Sequence, residues 1–417
     1  LIEVAGESAT FFINYICVTN ETPAPALLSV MRFKTLLLPF FFAAALAAGC
    51  KNKPNSSAAI TVTDTTANWA LVPFNKVDSL NPIMSPGTAN FTDPVSKKNV
   101  LWEEKDVFNP AIVNKDGKIY MLYRAQDKSG TSRVGLAVST DALHFTRMPD
   151  PVVYPDNDAF KKLEWPGGCE DPRVVADSAG TYYMTYTAYD GTTARLLVAS
   201  STDLTHWKKH GSVFAKAYNG KYAEKWSKSG AIVSIYKSGE PVATKINGKY
   251  WMYWGDTQVW SATSDDLINW TPVEMKPGEQ PPVKLRSQAL NMPQLKVVLP
   301  TREGKFDSDL VESGPPAMLT DKGIILLYNS RNVPSFGDKK LAEGTYTPSQ
   351  VLFDKNDPTK IIKRLDSYFM KPEKPYEITG QVNQVCFIEG LTQFKDKWYL
   401  YYGTADSKIA VAVSPKK

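Results

Sequence analysis

Gly117-Lys118-Ile119-Tyr120-Met121-Leu122-Tyr123-Arg124, followed by Arg133-Val134-Gly135-Leu136-Ala137-Val138-Ser139-Thr140-Asp141, is the phrase on which the architecture turns. It returns as Gly180-Thr181-Tyr182-Tyr183-Met184-Thr185-Tyr186 with Leu197-Val198-Ala199-Ser200-Ser201-Thr202-Asp203. A third copy is Gly248-Lys249-Tyr250-Trp251-Met252-Tyr253-Trp254 with Val259-Trp260-Ser261-Ala262-Thr263-Ser264-Asp265. Weaker copies begin at Gly323-Ile324-Ile325-Leu326-Leu327-Tyr328 and at Lys397-Trp398-Tyr399-Leu400-Tyr401-Tyr402-Gly403. Aromatic and β-branched runs of this kind suit a pleated, half-buried surface. Each copy carries about one four-stranded antiparallel sheet, and such a sheet cannot bury both faces alone, so the copies must pack on one another. Five copies predict an all-β chain, a five-bladed β-propeller over residues 68–417.

The chain before residue 68 reads differently. Residues 1–30 show no sustained periodicity and precede Met31; they are expected to be an upstream, non-native and disordered segment. Met31-Arg32-Phe33-Lys34 gives a basic start to an apolar stretch over 35–48, with Gly49-Cys50 behind it. That stretch is shorter than the about 20 residues of a membrane span and has the layout of a secretory signal over 31–49. Its ending, Leu46-Ala47-Ala48-Gly49-Cys50, resembles a bacterial lipobox. The resemblance implies lipidation at Cys50 and a lipid-anchored place in a Gram-negative cell envelope, periplasmic or on the outer membrane. Secretion with an incidental cysteine is the alternative. Residues 50–67, rich in Ser, Thr, Asn and Lys, read as a flexible tether.

Composition narrows the partners. The formal net charge is +5, but no basic run is interleaved with aromatics, so nucleic acid is not an expected partner. Cys169 and Cys386 are too few for a disulfide framework and read as small buried hydrophobes. His144, His206 and His210 lack metal-ligand spacing, so neither metal nor other cofactor is expected. Ten Trp and twenty Tyr supply a propeller core and flat faces on which sugar rings stack.

Propellers carry function on the loops and inner strands at one mouth of the central channel. Segments that depart from the repeat therefore hold the candidate site. They are Phe108-Asn109-Pro110-Ala111, Trp165-Pro166-Gly167-Gly168-Cys169-Glu170-Asp171-Pro172-Arg173, the acidic Phe306–Ala317 containing Glu312, and Val382–Leu391 containing Asn383 and Glu389. Glu170, Arg173, Asn383 and Glu389 are taken as substrate contacts. The Pro- and Gln-rich segment Lys276–Thr301 reads as an insertion between the third and fourth copies.

Phe108-Asn109-Pro110, Tyr123-Arg124-Ala125, Ser132-Arg133-Val134-Gly135-Leu136-Ala137, Gly168-Cys169-Glu170-Asp171-Pro172-Arg173, Gly314-Pro315-Pro316 and Tyr402-Gly403-Thr404-Ala405-Asp406 together resemble glycoside hydrolase family 130 over roughly residues 100–415. The resemblance implies a five-bladed propeller acting on β-mannosides, by phosphorolysis or hydrolysis. It implies that Asp171 is the general acid, reaching the glycosidic oxygen through the sugar's 3-hydroxyl. It also implies that Asn109, Arg124, Arg133 and Asp406 grip the mannose or its neighbour.

Phosphorylases of the family hold phosphate on cations, and Lys228 is a candidate for their lysine. Here, however, Asp256 follows Trp254-Gly255 where they carry His-Arg, and Glu312 stands just before Gly314-Pro315-Pro316. Carboxylates facing a general acid are what an inverting hydrolase uses to activate water. The expected function is an exo-acting, inverting β-mannoside hydrolase releasing mannose from mannan-type oligosaccharides, β-1,2-linked ones first. Glu312 would be the base and Asp256 its water-orienting partner. A β-mannoside phosphorylase giving mannose 1-phosphate and a non-catalytic glycan-binding lipoprotein are the alternatives.

Overall fold

The computed structural model describes residues 68–282 and 292–415. The upstream segment, the signal, Cys50 and the tether lie outside the described residues, as does the middle of the 276–301 insertion.

The strands fall into five antiparallel meanders in chain order. After β1 (Asn75–Lys76) and a hairpin of β2 (Asn90–Thr92) and β3 (Asn99–Leu101), the first meander is β4 (Asp106–Lys115), β5 (Lys118–Gln126), β6 (Ser132–Ser139) and β7 (Thr146–Arg147). A short helix α1 (Lys161–Glu164) leads to the second: β8 (Gly168–Ala176), β9 (Tyr182–Tyr189), β10 (Ala194–Ser201) and β11 (Lys208–Ser212). The third interleaves β12 (Ala231–Ile232), a hairpin β13 (Ser234–Lys237) and β14 (Glu240–Ala243), β15 (Lys245–Ile246), β16 (Lys249–Trp254), β17 (Val259–Ser264), β18 (Trp270–Pro272) and β19 (Val297–Leu299). In the fourth, β20 (Leu310–Ser313) and β21 (Met318–Thr320) both pair with β22 (Gly323–Arg331), which continues to β23 (Tyr346–Phe353) and β24 (Ile361–Arg364). Helix α2 (Pro375–Ile378) precedes the fifth: β25 (Cys386–Phe394), β26 (Lys397–Thr404) and β27 (Lys408–Pro415), with β1 as its fourth strand.

The all-β expectation is met, and the quoted repeats coincide with β5–β6, β9–β10, β16–β17, β22 and β26. The five-bladed propeller is not delivered by the pairing. Parallel bridges such as Ser132↔Gly168 and Ser234↔Met318 join meanders into a 15-stranded sheet, and no sheet closes on itself among the described residues. The insertion is partly built into the third meander, since β19 pairs with β17 while Met292 and Leu295 are buried.

Five apolar clusters make the core, and each lies between two meanders. One joins the first and second through Leu122, Leu136 and Met184, and another the second and third through Val198 and Met252. A third packs Tyr253 on Phe353 and a fourth Leu327 on Leu400. The fifth joins the last meander to the first, Tyr401 and Val411 against Met121 and Ile112.

The repeats share two polar devices. Ser139, Ser201 and Ser264 each accept backbone N–H groups of the following turn, as do Asp141, Asp203 and Asp266 two residues on. That is why Ser-x-Asp recurs at strand ends. The second device is a buried latch. A tyrosine of the second strand donates to a carboxylate just before the first strand: Tyr123 to Glu103 (2.9 Å), Tyr186 to Glu164 (2.8 Å), Tyr328 to Asp307 (2.9 Å), Tyr402 to Glu377 (2.8 Å). A cation of the fourth strand completes each latch: Arg147 (3.0 Å), Lys209 (2.6 Å), Arg364 (2.6 Å) and Lys76 (2.7 Å) respectively. In the third meander Trp254 takes the tyrosine's place and packs, with its ring tilted, against Phe214 and Trp260 instead.

Candidate active site

Irregularities in the inner strands create the site. The β4–β5 register breaks between Phe108 and Pro110, the β8–β9 register between Glu170 and Arg173, and the β25–β26 register between Ile388 and Gly390. The residues at these bulges are Asn109, Asp171 and Glu389, all buried, with Asn109 and Asp171 at positive φ (49° each). A bulge re-aims a side chain that regular alternation would bury elsewhere. Here the re-aimed side chains meet, and Asn109 Nδ2 donates to Asp171 Oδ1 at 2.9 Å. Gly403 makes room for this contact, since a Cβ there would stand 2.4 Å from Asn109 Oδ1.

Arg124, on β5, lies over the Phe108 ring and forks between Glu170 Oε1 (2.6 Å) and Asp171 Oδ1 (3.1 Å). Lys228 Nζ stands 3.5 Å from Asp171 Oδ2. Burial alone would raise the Asp171 pKa, but Arg124, Lys228 and Asn109 outweigh it and hold the carboxyl below the usual range. Asp171, expected from the sequence to be the acid, is therefore ionised in the free protein.

Glu312 on β20 is paired in register with Asn329, and its Oε1 accepts a hydrogen bond from the Ser229 hydroxyl. Its pKa is pushed up to about 7, first by burial and then by the nearby Asp256, against Lys228 and Arg173. Asp256 follows Gly255, whose φ of 115° and contact with Gln258 O leave no space for a Cβ. Its Oδ2 accepts from the Trp226 indole at 2.9 Å, and burial raises its pKa against the pull of Lys228. Asp406, in the turn two residues beyond β26, is raised to about 6 by burial, with Arg124 opposing. Lys228 feels Asp171, Glu312, Glu170 and Asp256 together, which overcome its burial and raise its pKa.

The structure thus brings together Asn109, Arg124, Glu170, Asp171, Lys228, Asp256, Glu312 and Asp406. Two expected substrate contacts stand elsewhere. Arg133, 1% exposed, is committed to Asp93 (2.6 Å) and Asp127 (2.8 Å), an ion-paired strut between β6 and the β2–β3 hairpin region. Asn383 lies on an exposed loop, where its side chain accepts from Gly380 N–H. Arg173 and Glu389 are central but fully buried, and Arg173 donates to backbone carbonyls. Ser229 and Trp226 belong to the site and carry no sequence signal of it. Among the described residues no group of three or more His, Cys, Asp or Glu side chains is arranged to hold a metal ion.

A carboxylate held ionised by cations, sharing Lys228 with a carboxyl whose pKa is pushed up to about 7, is suited to moving protons at a glycosidic bond. Comparison with known proteins agrees on the class. A family model described as beta-1,4-mannooligosaccharide phosphorylase, that of glycoside hydrolase family 130, matches residues 75–417. The 1,2-beta-oligomannan phosphorylase of Thermoanaerobacter sp. is 31% identical over 76% of this chain and 92% of its own length. A Beta-1,2-mannobiose phosphorylase of the same strain is 28% identical over 81% and 96%. Among solved structures, one was reported with the finding that "the GH130 family of mannoside phosphorylases contains glycoside hydrolases that target beta-1,2 mannosidic linkages in Candida mannan". It is 47% identical, with a TM-score of 0.78, over 84% of this chain and 95% of that one. With the family model spanning all five meanders and their shared bulges, this chain belongs to glycoside hydrolase family 130.

Proposed function

We propose that the protein cleaves β-mannosidic bonds, β-1,2 bonds first, at the non-reducing end of mannose-containing oligosaccharides, and that water is the nucleophile. The observation that carries the choice of water is the pair of buried Glu312 and half-buried Asp256, both beside Lys228 and held by Ser229 and Trp226. A phosphate arriving there meets negative charge, which costs roughly 4 kcal/mol per unit charge at about 4 Å and an effective dielectric near 20. Water meets no such repulsion and is polarised by the same groups. The products are then mannose, released with inversion as the α-anomer, and the shortened glycan.

The named curated relatives favour the second reading, phosphorolysis, more than hydrolysis, because both are phosphorylases of β-1,2-linked mannosides. Lys228 is the cation on which a phosphate would sit in that case. One experiment separates them: β-1,2- and β-1,4-mannobiose are incubated with and without millimolar phosphate. Mannose at a phosphate-independent rate supports hydrolysis; mannose 1-phosphate establishes the alternative. Binding without turnover would leave a glycan-binding role.

The five-bladed propeller belongs to the same proposal. Its support is the order of the apolar clusters, which runs from each meander to the next and from the fifth back to the first. The lipid anchor at Cys50 and the envelope location also stand as proposals, resting on the sequence from Met31 to Cys50. Membrane partition of the wild type and release of Cys50→Ser would support them. Oligosaccharide bound at the site is the partner the reading requires.

A further inference from the structure

Arg173 holds the backbone of two different catalytic segments at once. Its Nε donates to Gly314 O at 2.7 Å and its Nη2 to Ser313 O at 2.7 Å, while Nη1 reaches Asp171 O at 3.3 Å. Ser313 directly follows Glu312. One rigid, planar guanidinium therefore spans the chain that carries Asp171 and the chain that carries Glu312. These carbonyls belong to the second and fourth meanders, which are separated in sequence by about 140 residues.

The fifth meander supplies the counter-charge. Glu389 Oε2 lies 3.4 Å from Arg173 Nη2, and both side chains are 1% exposed or less. The carboxyl of Glu389 makes no hydrogen bond to the described residues, so Arg173 is the group it faces at contact range. Its bulge is fixed from the fourth meander. Asn329 donates to Ile388 O (3.0 Å) and accepts from Ile388 N–H (2.7 Å), and Asn329 is also the register partner of Glu312. A substrate contact would leave guanidinium donors facing the cleft, whereas these are turned into protein.

We propose that Arg173, braced by Glu389, is a positioning residue that sets the separation of the Asp171 and Glu312 carboxyls. The assignment rests on the reading of those two as acid and base. An inverting enzyme needs its carboxyls about 6.5–9.5 Å apart, with room for one water. A displacement of about 1 Å costs roughly 10²-fold in rate. Lysine cannot reproduce the fork, so Arg173→Lys keeps the charge and loses the spacing.

The test uses the full chain with Arg173→Lys, Glu389→Gln and the double variant. Turnover of β-1,2-mannobiose is followed with whichever nucleophile the wild type accepts. Arg173→Lys is expected to lower kcat roughly 10²-fold while KM stays within about threefold. Glu389→Gln should lower kcat less, and the double variant should be no worse than Arg173→Lys within about threefold, since both remove one brace. A raised KM with unchanged kcat would make Arg173 a substrate contact. A lowered Tm with unchanged kcat in the folded fraction would make it merely structural. Either overturns the proposal. Should Arg173→Lys fail to fold, Glu389→Gln carries the same readouts. If the wild type cleaves no β-mannoside with water or phosphate, the functional reading fails instead. The brace is then judged from crystal structures of wild type and Arg173→Lys, where Ser313–Gly314 must shift relative to Asp171, and an unmoved segment overturns it.

Discussion

The indole nitrogen of Trp226 donates to Asp256 Oδ2 at 2.9 Å, so a residue of the irregular chain before β12 aims the carboxylate that stands two residues beyond β16. A hydrogen bond to a charged group contributes about 1.5–3 kcal/mol. Trp226→Phe keeps the ring and removes the donor. It should lower kcat roughly tenfold, equivalent to about 1.4 kcal/mol, with KM changed less. Unchanged steady-state kinetics would show that Asp256 does not orient the nucleophile.

Asp171→Asn tests the acid. Acid–base catalysis supplies about 10²–10⁴-fold, and kcat on β-1,2-mannobiose should fall by that much. A nitrophenyl β-mannoside, whose leaving group departs without a proton, should lose far less. Equal losses on both substrates would assign Asp171 to binding.

Glu312 gives the pH dependence its sign. As a base it works only when deprotonated, and with a pKa pushed up to about 7 it is mostly protonated in acid. The hydrolytic kcat/KM should therefore climb as pH rises through about 7. Asp256 is one of the causes of that raised value, so Asp256→Asn should move the rising limb to lower pH in whatever activity remains. Glu312→Gln should abolish hydrolysis. A limb that stays in place in Asp256→Asn would remove Glu312 as its source.

Gly403→Ala probes the bulge contact from behind. The added methyl would stand 2.4 Å from Asn109 Oδ1, so Asn109 must turn and loosen its bond to Asp171. Activity should drop by roughly tenfold or more, in line with about 1.5–3 kcal/mol for a hydrogen bond to a charged group. Wild-type rates in a folded Gly403→Ala protein would show that this contact is dispensable.

Lys76→Met removes one partner of a buried latch, leaving Glu377 without its cation. Breaking such a pair costs about 3–5 kcal/mol. Urea denaturation should show a loss of that order. Lys76 is not among the residues gathered at the site, so kcat of the folded protein should be unchanged.

The strands were legible because their aromatic, β-branched runs are local signals, as were the Ser-x-Asp turns. Asn109 and Asp171 stand out in sequence because bulges interrupt the repeat with unusual residues, and Glu312 because an acidic stretch there runs into Gly314-Pro315-Pro316. Arg124 and Arg133 could not be told apart in sequence. Both sit on strands of the first repeat, and what separates them is Asp93, 40 residues upstream, which captures Arg133. Ser229 and Trp226 were invisible for a similar reason: ordinary residue types in an irregular segment acquire meaning only from Glu312 and Asp256. The latches span from 20 to about 300 residues between partners, beyond any local pattern.

Lys76 also gives the fold a direction in time. Strand β1 leaves the ribosome before every other strand of the meanders, yet the carboxylate, the tyrosine and the strand edge it requires are among the last to emerge. Until then the fifth meander lacks its fourth strand and Glu377 lacks its cation. A nascent chain shortened anywhere before β27 therefore keeps a sheet edge and a buried-charge site open, which marks it as incomplete to proteases and chaperones. Linking Pro415 to Asn75 and opening the chain at an exposed turn would place β1 directly behind β27 and remove the wait.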